Sequence, residues 1–398
     1  MIIYYIYACV YIIILIYYII YIPFFASLLS NLLIIFIFLC YNLFMEVKKL
    51  VLKNFRNYSE REFGFNSGLN VLEGRNTVGK TNVVEAVYFC AFGKSPRTSK
   101  DKEVIKWGQE NASIRLNVKK KYRNAQIDML ISQNGEKRIA TDGAGISKMG
   151  ELIGLINVVY FSPDEIKMIK EGPQERRRFL DVSLSQQNKS YFYALSKYTR
   201  ILKNRNKLLK DGGSLKYIES SLPIWDQQLI DVGVDLIVKR LEFLNYLHPL
   251  VDDVHKSITN SNIGLNVEYE TDIDLLDIRA DFTKKLAENR EKDIKFGYTT
   301  IGPHRDDVLI KSQGIDIRSY GSQGQQRTAS LALKLAETVS IEEQTGETPI
   351  LILDDVLSEL DPTRRKALLE YSKNLQVLLT CTDFPEDKAV INNLIHLE

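Results

Sequence analysis

Two hydrophobic periods organise the chain. Over residues 47–55 apolar and polar positions alternate, as in a strand with one buried face, and residues 68–73 read as a strand entering a glycine-containing loop. Alternation continues over 112–121 and 125–131, and Asn134-Gly135 predicts a tight hairpin turn before a further strand at 137–141. From Glu175 to about Thr259 the apolar spacing changes to 3.6, with expected interruptions at Gly212-Gly213 and at Pro223. Strand character returns at 265–269, 308–311 and 350–353. The expected order is sheet, helical insert, sheet, which is an α/β fold without an internal repeat.

The first 44 residues do not share this pattern, and they contain no Lys, Arg, Asp, Glu or His. Residues 3–22 are long enough to cross a bilayer, residues 28–40 are shorter, and Pro23 separates them. Neither run has the basic flanks that orient an insertion, nor the charged start and small-residue cleavage site of a signal peptide. Two readings stand: a membrane segment, or translation of AT-rich DNA upstream of a true start at Met45. The second is the expectation, and it goes with a cytoplasmic protein without a membrane partner.

Charge narrows the picture little, because the net charge is only +2. Nucleic-acid binding would have to use local basic surfaces. Beyond Met45 the cysteines are Cys90 and Cys381, without CxxC spacing or a neighbouring His, which suits a reducing compartment.

The chemistry begins at Gly74-Arg75-Asn76-Thr77-Val78-Gly79-Lys80-Thr81, a complete phosphate-binding P-loop between a predicted strand and a predicted helix. Its glycines let the backbone wrap a polyphosphate, Lys80 reaches the outer phosphates, and Thr81 offers a hydroxyl to Mg2+. Near the other end, Ile350-Leu351-Ile352-Leu353-Asp354-Asp355 has the form of a Walker B strand. Asp354 is the expected Mg2+ ligand, with Thr81, and Asp355 the expected catalytic group, accepting the proton of the attacking water. ATP and Mg2+ are thus the implied cofactors.

Tyr320-Gly321-Ser322-Gln323-Gly324-Gln325-Gln326-Arg327 precedes a helical run, and Ser358-Glu359-Leu360-Asp361 precedes Pro362. Each alone could be only a loop and a helix cap. Ordered around a P-loop and a Walker B strand they form the signature (Ser322, Gln323, Gly324, Gln325) and the D-loop (Ser358, Asp361) of an ABC-type ATPase. In that class the signature of one head faces the P-loop of another, so one chain carries two half-sites and ATP closes a dimer. Lys80 and Ser322 are about 240 residues apart, too few for the long antiparallel coiled coil of an SMC arm.

Leu52-Lys53-Asn54-Phe55-Arg56-Asn57-Tyr58, Gly93-Lys94-Ser95-Pro96-Arg97-Thr98, Phe161-Ser162-Pro163-Asp164, Arg176-Arg177-Arg178-Phe179-Leu180-Asp181 and Gly302-Pro303-His304-Arg305-Asp306-Asp307 closely resemble the RecF family, from Met45 to the C-terminus. The resemblance implies an ABC-type P-loop ATPase head with an inserted helical lobe and no long coiled coil. The lobes would be 45–174 and 291–398 for the ATPase part and 175–290 for the helical part, with 1–44 an extension lacking a family counterpart. It also implies a weak ATPase acting as a switch, an ATP-dependent homodimer, and binding to double-stranded DNA and to gapped or single-stranded DNA. Cooperation with RecR and RecO in loading RecA, in recombinational repair, replication restart and the SOS response, follows from the same likeness. Asp355 replaces the glutamate of the wider class, and the signature lacks a Gly-Gly pair; both suit the family. Thr380-Cys381-Thr382-Asp383 stands where many ABC proteins have a switch histidine, with Thr382 near the expected γ-phosphate position.

Candidate DNA contacts come from spacing. Lys197, Arg200, Lys203, Lys207 and Lys210 fall within an arc of about 140° at about 100° per residue, opposite Leu195, Tyr198, Leu202 and Leu209. A solvated helix face is the competing reading. Arg176-Arg177-Arg178, after Pro173 at a helix start, either contacts DNA phosphate or supports the helical lobe or the nucleotide, and Lys119-Lys120-Lys121 is expected at an exposed strand edge. Two other functions use the same P-loop: the ATPase subunit of a membrane transporter, which would need many more spans, and a small-molecule phosphotransferase, which would not need Ser322 and Gly324.

Overall fold

The structure is a computed structural model, and it describes residues 45–386 and 388–398. The expectations for residues 1–44 lie outside the described residues. Among the latter no helix is long and apolar enough to cross a membrane.

The chain opens with an antiparallel hairpin, β1 (Glu46–Phe55) and β2 (Tyr58–Gly64), then runs through β3 (Leu69–Gly74) into α1 (Lys80–Phe92). β4 (Asn111–Lys119), β5 (Asn124–Ser132), β6 (Lys137–Thr141) and β7 (Ala144–Gly145) extend the hairpin into a six-stranded sheet ordered β2-β1-β4-β5-β6-β7. β4 shows why alternation was legible: Ala112, Ile114, Leu116 and Val118 are buried while the residues between them face outward. Residues 133–136 turn the chain between β5 and β6, with Gly135 at φ +88° after Asn134 and its N–H donating to the Ser132 carbonyl at 3.0 Å.

β8 (Val158–Phe161) begins the edge of a second sheet. After a one-turn helix at Lys167–Lys170 come α2 (Pro173–Gln187), α3 (Lys189–Asp211), α4 (Leu215–Thr259) and, after β9 (Asn266–Glu270), α5 (Ile278–Glu288). Then come α6 (Arg290–Phe296), β10 (Asp307–Ser312), β11 (Ile315–Asp316), α7 (Gln323–Thr345), β12 (Ile350–Asp354), α8 (Pro362–Tyr371), β13 (Val377–Cys381) and β14 (Asn393–Leu397). The second sheet is all parallel, ordered β14-β3-β13-β12-β8, and β11-β10-β9 form a small third sheet. β9 and β10 pair across the expected 290/291 boundary.

α1 is buried on nearly every side, including Val83, Val84, Val87, Phe89 and Cys90, and it belongs to one core with the inner face of the antiparallel sheet. The other face of the parallel sheet shares a core with the helices, where Leu351, Leu353 and Leu379 join Leu331, Leu335 and Leu236. Parallel strands buried on both faces need continuous apolar runs, which is what β12 supplies.

Two expectations fail here. The helix does not stop at Pro223: α4 runs 45 residues through both Pro223 and Pro249. An interior proline costs about 3 kcal/mol, whereas each fully buried Leu or Ile contributes about 1.5–3 kcal/mol, and Leu222, Leu229, Leu236, Ile237, Leu247 and Val251 are all fully buried. Packing therefore overrides the break. The actual breaks are at Asn188, whose side chain caps α3 by accepting from Tyr191 N–H, and at residues 212–214. Lys119-Lys120-Lys121 is also not a sheet edge, because β4 lies between β1 and β5. Lys120 instead pairs with Glu347 at 3.1 Å and donates to the Leu155 carbonyl.

Candidate nucleotide site

β3 delivers the chain into the phosphate loop at Gly74, where a Cβ would stand 2.4 Å from the Leu397 carbonyl oxygen of β14. Gly79 has φ +110°, and a side chain there would collide with Asn57 and Tyr58. Both glycines are thus fixed by backbone geometry. Lys80 is buried, and its Nζ donates to the carbonyls of Gly74 at 2.6 Å and Arg75 at 2.8 Å, so the ammonium lies across the mouth of its own loop. Arg75, Asn76 and Thr77 form an exposed rim.

The β1–β2 hairpin braces this loop. Asn57 Nδ2 donates to the Val78 carbonyl at 2.9 Å, and Asn57 Oδ1 accepts from Asn82 Nδ2 at 2.9 Å. Glu85, fully buried on α1, takes a two-pronged contact from Arg56 at 3.0 and 2.5 Å, the Ser95 hydroxyl at 2.5 Å and Arg97 at 3.4 Å. A buried carboxylate needs such partners. Two of the segments that carry the family resemblance thus converge on one residue of the P-loop helix.

β12 ends beside the loop with Asp354, which is buried and accepts three hydroxyls: Thr81 Oγ1 at 2.9 Å and Thr380 Oγ1 at 2.7 Å on Oδ1, and Tyr160 Oη at 2.9 Å on Oδ2. This all-oxygen set of hard donors fits Mg2+, which keeps few protein ligands and takes the rest from phosphate and water. Thr81 and Asp354 are the residues that would hold it. Sequence reasoning missed Tyr160 and Thr380, which lie 194 and 26 residues from Asp354 along the chain. Burial first, then the Asp354 charge, keeps the Tyr160 phenol protonated as a donor. Thr382, the residue singled out at this turn, lies exposed beyond the end of β13.

Asp355 follows in a left-handed conformation, φ +55°. The fold holds it there: its N–H reaches Thr380 Oγ1 at 3.0 Å and the Thr380 carbonyl at 3.2 Å, and Ser358 Oγ donates to its carbonyl at 2.8 Å. A non-glycine residue kept at positive φ is a local cost that recurs at functional sites. Burial, with the Asp354 charge next, raises the Asp355 carboxyl above its ordinary range, making the ionised form a stronger base.

The signature residues are arranged differently. Ser322 N-caps α7 in a capping box: its hydroxyl accepts from Gln325 N–H at 3.3 Å and the Gln325 side chain accepts from Ser322 N–H at 2.8 Å. Ser322, Gln323 and Gln325 face solvent, as does Tyr320. Among the described residues no hydrogen bond or ion pair joins 322–325 to 74–81. Asp361 N-caps α8 at Arg364 N–H, and Arg327 of α7 pairs with Glu359, tying the signature helix to the D-loop segment.

On α3 the five candidate DNA contacts, Lys197, Arg200, Lys203, Lys207 and Lys210, are all exposed, and none is in an ion pair among the described residues. Arg205 of the same helix is wholly buried, paired with Asp226 at 2.8 Å and Asp293 at 2.7 Å. The Arg176 side chain is turned inward in a two-pronged pair with Asp307 at 2.6 and 2.8 Å, and Arg177 donates to the Asp306 carbonyl. Of the three readings of this arginine run, support of the helical region fits Arg176.

A parallel sheet carrying a P-loop and a Walker B strand, flanked by an antiparallel sheet and a signature helix, defines an ABC-type ATPase head with a helical insertion and no long coiled coil. Residues 46–389 match the family model of the RecF/RecN/SMC N-terminal domain. The chain belongs to the RecF family: it is 42% identical over 356 residues to the DNA replication and repair protein RecF of Agathobacter rectalis, covering 89% of this chain and 97% of that one. The RecF of Clostridium perfringens is 45% identical over 339 residues, covering 85% and 93%. A solved structure of the recombination mediator protein RecF, described as RecF-ATPrS in the RecFOR pathway, superposes with a TM-score of 0.82 at 34% identity, covering 89% of this chain and 96% of that one. An SMC head from Pyrococcus furiosus shares the fold, with a TM-score of 0.51 at 17% identity and coverage of 88% and 93%.

Proposed function

We propose that this protein of DNA replication and repair is an ATP-operated clamp, in which two heads close on two nucleotides and hydrolysis reopens them. The observation that carries the reading is the separation of the two half-sites: the P-loop, Thr81, Asp354 and Asp355 converge at the ends of β3 and β12, whereas Ser322 to Gln325 cap another helix, open to solvent. A second copy placed head to tail completes both.

In the closed pair Lys80 and the loop amides hold the outer phosphates, and the partner's α7 N-terminus with its Ser322 hydroxyl meets the γ-phosphate. Mg2+, when bound, offsets charge developing on the phosphoryl oxygens. Asp355 takes the proton of the attacking water, Asp354 and Thr81 hold the metal shell, and Ser358 and Asp361 line the seam as the D-loop. Hydrolysis is slow and serves as a switch.

The names of the relatives, a DNA replication and repair protein and a recombination mediator of the RecFOR pathway, support DNA as the ligand and RecO and RecR as partners. Our reading extends this to double-stranded DNA, to gapped or single-stranded DNA, and to RecA loading in the cytoplasm. Residues 45–174 with 291–398 form the ATPase lobe and 175–290 the helical lobe, whose Lys197, Arg200, Lys203, Lys207 and Lys210 contact DNA phosphates. Light scattering and ATP hydrolysis, each with and without duplex DNA, test this. Dimerisation at saturating ATP and Mg2+, with DNA altering turnover, is expected; a protein that stays monomeric with ATP, or hydrolyses it indifferently to DNA, would sink the clamp.

A further inference from the structure

Beside the C-terminal end of α3 the surface carries two aromatic rings that a soluble fold would ordinarily cover. Phe296 and Tyr298 are 48% and 42% exposed, their ring centres lie 5.7 Å apart, and their planes are inclined by only 22°. The Arg305 guanidinium sits 4.9 Å from the Tyr298 ring centre. The three groups form a short ladder of flat faces, open to solvent.

The backbone under this ladder is pinned. Gly297, at φ +71°, ends α6 and abuts Lys210, where an added Cβ would meet the lysine Cα and Cβ at 3.8 Å. Thr299 N–H and Oγ1 donate to Asn206 Oδ1 at 2.8 and 2.7 Å, Arg205 Nη1 donates to Thr299 Oγ1 at 2.8 Å, and Arg305 donates twice to the Thr299 carbonyl at 3.2 and 3.0 Å. The fully buried Arg205, held by Asp226 and Asp293, thus fixes the strip on which Tyr298 stands. Rings presented on a fixed backbone lose little freedom when a ligand docks.

Charge says what kind of ligand. Lys207 and Lys210 on α3 and Lys292 and Lys295 on α6 are exposed and in no ion pair among the described residues. Duplex DNA would use such lysines but hides the faces of its bases in the stack. Unpaired bases offer both a phosphate backbone and free π faces, which is the combination met by aromatic side chains interleaved with basic ones.

We propose that Phe296, Tyr298 and Arg305 form a stacking platform for unpaired bases of single-stranded DNA, with Lys207 and Lys210 following its phosphates. The proposal rests on the DNA-binding reading above and adds to it a subsite that distinguishes single strands from duplex.

The test compares the full chain with the double variant Phe296→Ala/Tyr298→Ala, titrating an oligothymidylate that carries 2-aminopurine and, separately, a blunt duplex. The double variant is expected to lose at least about fivefold in affinity for the single strand, together with the quenching that stacking gives. Duplex affinity and its salt dependence should be unchanged. Phe296→Leu/Tyr298→Leu keeps an apolar cover without π faces and should show the same loss, whereas Tyr298→Phe should bind like the parent. Parent-like single-strand affinity in both double variants would overturn the platform, as would equal loss of both DNA forms. Loss of ATP-dependent dimerisation with single-strand binding intact would assign the ladder to a protein contact and also overturn it. A parent chain that binds neither DNA would instead bring down the DNA-binding reading itself.

Discussion

The P-loop side and the signature side of this head use the same two ingredients, a glycine-containing turn and a helix N-terminus, yet they are wired differently. Lys80 is buried and donates to two carbonyls, Thr81 is bonded to Asp354, and Gly79 is closed in by Asn57 and Tyr58. Ser322, by contrast, has its hydroxyl engaged only within its own capping box and stands in solvent with Gln323 and Gln325. The P-loop side is preorganised by the rest of its chain, as a binding site must be if ordering costs are not to weaken binding. The signature side is shaped like half of an interface. Binding of nucleotide and closure of the dimer should therefore be separable by mutation.

The sharpest break falls on chemistry alone. Asp355→Asn keeps the shape and tolerates positive φ but removes the proposed base, so hydrolysis should fall by about 10²–10⁴-fold while ATP binding survives and an ATP-bound dimer accumulates. Single-turnover hydrolysis with light scattering reads both. The same carboxylate sets a pH dependence. Because burial and Asp354 raise its pKa, the parent's turnover should decline on acidification at a higher pH than an ordinary carboxylate would give. Asp355→Asn should abolish that limb; an unchanged profile would remove Asp355 from the role of base.

Next in size, Lys80→Ala should weaken ATP binding by about 100-fold, the worth of a charged contact to phosphate, and closure should be lost with it. Titration with a fluorescent ATP analogue measures the change. Ser322→Arg should do the reverse, leaving nucleotide affinity near parental while raising the dimer dissociation constant by at least about tenfold, since a large cation would occupy the partner's approach. Sedimentation with saturating ATP decides it, and parental dimerisation would return Ser322 to a mere helix cap. The smallest effect is expected from Tyr160→Phe, which removes one hydroxyl from Asp354 at a cost of about 1 kcal/mol. That should raise the Mg2+ concentration needed for half-maximal turnover by about fivefold with the fold intact, and an unchanged Mg2+ requirement would make the Tyr160 contact incidental to the metal site.

Much of the site was legible because phosphate binding uses contiguous backbone. Gly74 to Thr81 must lie in one loop, an apolar strand ending in Asp354-Asp355 is recognisable by itself, and Ser322 with Gln325 announces a helix start. The alternation of β4 and the 3.6 spacing of α3 also survive as local patterns, which is why the exposed face from Lys197 to Lys210 could be drawn before the fold was known. Pro223 misled for the complementary reason: local propensity argues for a break, but the cost of one proline is smaller than the burial of the residues α4 packs inward.

The class of chemistry, the order of the motifs and the family can be read from the chain alone, since each rests on residues adjacent in it. The fold was needed to show that β13 enters between β3 and β12, bringing Thr380 to the Asp354 carboxylate and to the Asp355 N–H, and that Tyr160 reaches Asp354 from the neighbouring strand. It also decided that Arg56, Ser95 and Arg97 converge on Glu85, and that Arg305 stacks on Tyr298 above a buried Arg205. Those contacts join segments far apart in sequence. Their partners are chosen by which surfaces the core brings within a few ångströms, and no local pattern encodes that choice.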